Sequence, residues 1–213
     1  MCASQAVFIS EFMNTLPYKV FATSSIDALI HSIESYLSPL ATSYSRMFSV
    51  AAMKDILEGY KKVAVDQSAY QKEGDRFLIA ANYAGIAFNE AGCATVHAVS
   101  YALGGKYHVP HGESNYEFLM AVLYFYKEKN PDGQMKNLEA LLCDVLGCKD
   151  GLKGLEELLE KILPHKKMSE YGATEEDMKP FAEATFKNQT RLLGKSYVKL
   201  TQDDIEYLFR ACL

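Results

Sequence analysis

Asp27 and His31 stand four residues apart in the segment SSIDALIHSIESYLS. On a helix that spacing sends both side chains from one face, where a carboxylate oxygen and an imidazole nitrogen can bind one cation. On a solvated face the same pair would form only a modest surface interaction. His97 sits among Ala94, Val96, Ala98 and Val99, where an imidazole must find a partner or lose free energy by desolvation. A core histidine bonded to a backbone carbonyl meets that requirement as well as a ligand does. His111 follows Pro110 and precedes Gly112, a stiff setting that can aim a ring inward. His108, three residues earlier, competes for the same role. Asp27, His31, His97 and one of these two histidines would suit Fe(II), Zn(II) or a similar first-row ion. The same set could activate water in a hydrolase, although the sequence holds no His-Asp dipeptide.

Helices must position these residues. Ile26, Leu29, Ile30, Ile33 and Leu37 recur at helical spacing after Thr23, Ser24 and Ser25, which read as an N-terminal cap. A second periodic run extends from Ser43 to Lys62, and a polar stretch follows as far as Gly74. The segment from Phe77 to Leu103, rich in Ala, Gly and Ser, reads as one central buried helix carrying His97. Gly104 and Gly105 then read as its stop, and a short loop leads to the apolar run Tyr116 to Tyr126. Further amphipathic helices are expected over Asn137 to Leu146, Leu152 to Leu163 and Thr174 to Asn188. The last run, Thr201 to Cys212, opens on a Thr-x-x-Asp cap at Thr201 and Asp204. Only AVFIS, near the start, alternates enough for one short strand. The expected fold class is all-α, a helical bundle.

Composition narrows the partners. The chain has 213 residues, 49% hydrophobic, enough for a substantial core. A formal net charge of -5 without Lys or Arg runs supplies no field for a phosphate backbone, so no nucleic-acid partner is expected. The apolar stretches fall short of the roughly 20 residues a membrane helix needs, and the start lacks a basic leader region; no membrane partner and a cytoplasmic location are expected. Five cysteines (Cys2, Cys93, Cys143, Cys148 and Cys212) without CxxC spacing read as free thiols.

Three blocks carry a resemblance. Asp27, Ala28, His31, Glu34 and Tyr36 resemble the pattern Asp-Ala-x-x-His, acidic, aromatic of the iron-containing (group III) alcohol dehydrogenases. AGIAFNEAGCATVHAVSYALGGKYHVPHGES resembles the long signature of that family, with one histidine in the helix and another in Pro-His-Gly. VKLTQDDIEYLFRACL is similar to the family's closing helix. The resemblance implies a C-terminal, dehydroquinate synthase-like helical domain over residues 1–213, with 1–22 as a junction segment. It assigns Asp27, His31, His97 and His111 as ligands of a divalent metal, Fe(II) or Zn(II). It also implies oxidation of a small primary alcohol or hydroxy acid, with hydride passing to NAD(P). Within the family, ATSSIDALIHSIESYLS and VHAVSYALGGKYHVPHGE are most similar to the 4-hydroxybutyrate dehydrogenases.

Some positions depart from the pattern. Tyr101 stands where many members carry a further histidine, so a hydroxyl donor to substrate replaces an imidazole there. Ala102 and Glu90 stand where proline and asparagine are frequent. Lys106 and Tyr107 follow the signature helix closely enough to meet a substrate carboxylate; a solvated loop lysine is the plain alternative. The family holds NAD(P) on an N-terminal α/β domain, and no G-x-G-x-x-G run occurs here. The chain therefore reads as the metal-binding half of a larger enzyme, with NAD(P) bound only together with an N-terminal nucleotide-binding domain or partner chain. A non-catalytic helical assembly module is the alternative. An apolar wall left at the domain junction would make the chain a homo-oligomer.

Overall fold

Apolar periodicity resolves into helices in the computed structural model, which describes residues 5–213 and so leaves Cys2 outside the described residues. Eleven α-helices follow in order: α1 (Tyr18–Leu37), α2 (Ser43–Val63), α3 (Ala69–Lys72), α4 (Gly74–Ala91), α5 (Thr95–Tyr107), α6 (His111–Lys129), α7 (Gln134–Leu146), α8 (Gly151–Ile162), α9 (Glu175–Asn188), α10 (Thr190–Leu193) and α11 (Gln202–Ala211). Among the described residues there is no strand, and none is long and apolar enough as a helix to cross a membrane. The AVFIS segment finds no strand to pair with; Val7 is 75% exposed, and the chain turns at Ser10–Thr15 into a 3-10 helix. The four cysteines among the described residues are free.

Helices α1, α2 and α4 pack together around an aromatic knot. Phe21 meets Phe77 edge-on at 4.7 Å between ring centroids and stacks on Tyr70 at 4.8 Å. This packing extends α1 upstream of the expected cap, because Phe21 and Ala22 are buried with the rest of its apolar face. Thr23 and Ser25 therefore lie inside the helix, and their hydroxyls donate to the carbonyls of Lys19 and Phe21, one turn back. Where caps were set by residues adjacent in sequence, expectation and structure coincide. The Thr201 hydroxyl accepts from the Asp204 amide, and Asp204 accepts from the Thr201 amide.

The small-residue segment is two helices rather than one. Gly92 takes φ +77, a left-handed conformation open to glycine, and ends α4. The broken ladder is satisfied from the end of α1 and the residue after it: Ser38 donates to the Ala91 carbonyl and Ser35 to that of Gly92. In contrast, Gly104 and Gly105 do not stop α5. The helix runs on to Tyr107, and exposed His108, at φ 54, turns the chain before Pro110 opens α6. His111 is thus the first residue of a helix and not a loop residue. A Cβ on Gly112 would lie 2.4 Å from the Thr23 carbonyl oxygen, so glycine lets the start of α6 press against α1 and bring His111 over Asp27.

Candidate metal centre

Asp27, His31 and Glu34 fall at i, i+4 and i+7, one stripe of α1. His97 faces that stripe from the first turn of α5, and His111 from the start of α6. The four expected ligand residues are brought together; His108 is not. Asp27 stands at the centre. Its oxygens lie 3.5 Å from His97 Nε2, 3.8 Å from His111 Nε2 and 4.0 Å from His31 Nε2. One donor atom each from Asp27, His97 and His111 falls within a 4.8 Å span. The His31 ring lies nearly parallel to that of His97, 4.7 Å between centroids, and also packs against Phe88 at 4.9 Å.

Glu34 organises the interior of this cluster. Its side chain is buried, and it accepts from the Val96 amide at 2.6 Å, from the Ala94 amide at 2.9 Å and from His97 Nδ1 at 2.7 Å. Two consequences follow from one carboxylate. It satisfies orphan amides at the start of α5, which has no side-chain cap of its own. It also holds a hydrogen of His97 on Nδ1, which points at the Glu34 side chain, and leaves Nε2 as the exchangeable position. His97 Nε2 is buried and has no hydrogen-bond partner; at 3.5 Å its approach to Asp27 is an electrostatic contact and not a hydrogen bond.

Asn115, one turn after His111, completes the cluster from α6. It is fully buried, and its amide nitrogen donates to Asp27 at 2.7 Å and lies 3.1 Å from His111 Nε2. Neither the part of Glu34 nor that of Asn115 was deduced from the sequence, although the i+7 spacing from Asp27 and the i+4 spacing from His111 carried the signal.

The electrostatics suit a cation. Burial alone would raise the Asp27 carboxyl, but contact with His97, the charges of His31 and His97 and the Asn115 amide hold it down to about 2. Burial opposes a charge on His97, yet Asp27 and Glu34 together lift it to about 9. His31 is pushed down, first by burial and then by neighbouring His97, against the pull of Asp27. A hard or borderline cation that displaces the proton from His97 Nε2 would meet one ionised oxygen and three imidazole nitrogens, a donor set that first-row divalent ions accept. The orphan Nε2 of His97 is the observation by which these residues fit such an ion.

Tyr101 lies on the exposed side, 44% accessible, with its ring 6.2 Å from that of His111. A shallow cavity of about 280 Å³ opens there between Tyr101, His111, Gly105 and Ser114. Lys106 and Tyr107 do not join the cluster. Both bind Asp177 of α9: Lys106 forms an ion pair with it, and the Tyr107 hydroxyl donates to it at 2.6 Å.

The profile described as "Fe-containing alcohol dehydrogenase family, C-terminal" matches residues 21–213. A 4-hydroxybutyrate dehydrogenase of Clostridium kluyveri is 46% identical over 95% of this chain and 56% of its own length. Long-chain-alcohol dehydrogenase 1 of Geobacillus thermodenitrificans is 29% identical over 99% of this chain and 54% of its own. The chain thus spans about half the length of the curated relatives it matches. An iron-containing alcohol dehydrogenase from Thermococcus thioreducens shares the fold, with a TM-score of 0.83 at 24% identity over 97% of this chain and 54% of that one.

Proposed function

This chain belongs to the Fe-containing alcohol dehydrogenase family, and from that premise we propose that it forms the metal-binding half of an NAD(P)-dependent dehydrogenase acting on 4-hydroxybutyrate or a similar small primary alcohol. Asp27, His31, His97 and His111 are the proposed ligands of a divalent ion, Fe(II) or, with the same donors, Zn(II). The observation that carries this reading is the buried, unpartnered Nε2 of His97 opposite an ionised Asp27. The substrate in turn rests on the 46% identity to a 4-hydroxybutyrate dehydrogenase.

A divalent ion held there supplies Lewis acidity, which lowers the pKa of an alcohol hydroxyl. The residues of this chain hold the ligands and orient the substrate. Glu34 and Asn115 hold His97 and Asp27 in place before substrate arrives. Tyr101, at the edge of the shallow cavity beside His111, offers its hydroxyl to the substrate oxygen. A substrate carboxylate competes with Asp177 for Lys106 and Tyr107. We place the NAD(P) site in the part of the relatives' length that this chain does not span, supplied by an N-terminal domain or a partner chain.

The test is formation of NADH by the Fe(II)-loaded chain combined with the nucleotide-binding half of the Clostridium kluyveri relative. Oxidation of 4-hydroxybutyrate faster than that of 1-butanol is expected, with lower kcat for Tyr101→Phe. Metal-independent turnover, or equal rates on the two alcohols, would contradict the proposal.

A further inference from the structure

Further along α6, from Tyr116 onward, a different kind of site opens. A cavity of about 500 Å³ lies between α6, α8, α11 and the segment after α8, and none of its lining residues belongs to the metal cluster. Its size falls within the range that holds a small organic ligand. The walls are aromatic. Tyr116 and Phe125 are buried, while Tyr124 and Tyr207 stand at the mouth, 38% and 54% exposed. The Phe125 and Tyr207 rings lie 6.1 Å apart, and Tyr116 meets His165 edge-on at 5.4 Å.

At the base of these walls is Glu117, whose side chain is almost wholly buried. One of its oxygens lies 3.2 Å from His165 Nε2, and the other, Oε1, has no hydrogen-bond partner. A buried carboxyl oxygen without a donor costs free energy, and a ligand that brought an N–H to it would recover that. The rim carries Glu128, Glu156 and Glu160 against Lys167 alone among the lysines and arginines that line the cavity. The field at the mouth is therefore negative, and the aromatic faces add the attraction of their π-electrons for a cation. An anion would meet like charge, and a purely apolar guest would leave Oε1 unpaired.

We propose that this cavity binds a small organic amine: a protonated primary ammonium that donates to Glu117, on an apolar body held among Tyr116, Tyr124, Phe125 and Tyr207. Burial raises the Glu117 carboxyl to about 9 in the empty cavity, so an arriving ammonium shifts it toward the ionised form as the two pair. The site stands independently of the metal centre and of the dehydrogenase reading.

Isothermal titration of the full chain with 2-phenylethylamine tests it, beside 2-phenylethanol and 3-phenylpropanoate, which share the body but are neutral and anionic. One amine per chain is expected, with the alcohol bound at least about tenfold more weakly and the acid not bound. Glu117→Gln should weaken the amine by about tenfold or more. Ala211→Trp, which fills the mouth from an exposed position, should abolish binding while leaving metal content unchanged. Amine and alcohol binding equally, no amine binding by the parent, or parent-like binding in both variants would overturn the proposal.

Discussion

Glu34 and Glu117 are both buried glutamates, 3% exposed each, yet their surroundings treat them in opposite ways. Glu34 receives three hydrogen-bond donors, two of them backbone amides from the start of α5. Glu117 keeps an oxygen with no donor, and burial raises its carboxyl to about 9. Asp27 extends the contrast, since it is partly buried and is nevertheless held near 2 by the groups around it. Burial acts on both Asp27 and Glu117, and the donors and positive charges aimed at Asp27 reverse its effect where Glu117 has too few to do so. The well-supplied acids sit where α1, α5 and α6 converge, and the undersupplied one sits where α6 faces α8 and α11.

The largest expected consequence of that contrast comes from Glu34. Glu34→Ala strands the Ala94 and Val96 amides and His97 Nδ1 together, and should destabilise the fold by roughly 3–5 kcal/mol. Urea unfolding followed by circular dichroism reads this directly. A loss under about 1 kcal/mol would mean that the α4–α5 break is held by other contacts.

Glu117→Gln should act in the other direction, and only over part of the pH range. The unfolded chain releases this proton near the ordinary 4.5, whereas the folded chain keeps it until about 9. Native protein then binds more protons than unfolded protein across that window, so stability falls as pH rises through it, with a slope approaching about 1.4 kcal/mol per pH unit. His97, also raised, adds loss of the same sign between 6.5 and about 9. Asp27 has the opposite sign: its contribution is complete above the usual 3.8 and is lost as pH falls toward 2. Comparing parent and Glu117→Gln isolates the first effect, because the other two cancel. The variant should match the parent at pH 4 and exceed it at pH 8; parallel stability curves would contradict the account of Glu117.

Much of this arrangement was legible in the sequence wherever the deciding interactions are local. The Asp27–His31 pair shares one helical face, and the Thr201–Asp204 cap closes within four residues, so spacing alone exposes both. The all-α class follows from periodicity in the same way. What escaped depends on contacts remote in sequence. The Phe77–Leu103 segment looks continuous because nothing nearby announces that Ser35 and Ser38, at the end of α1 and just past it, will satisfy a break at Gly92. Gly104 and Gly105 look like a stop, but the turn is made by His108 and Pro110. Thr23 and Ser25 look like a cap, until burial of Phe21 carries the helix past them. The Glu117 cavity has no local pattern, since His165 lies 48 residues away from Glu117.

The central claim is that the convergence of Asp27, His31, His97 and His111 is a metal site. Elemental analysis of the purified chain after equal exposure to Fe(II) and Zn(II), beside His97→Ala and His111→Ala, tests it most directly. About one metal ion per folded parent chain, lost in both variants, is the predicted result. A well-folded parent that takes up no metal, or variants that load as the parent does, would contradict the claim.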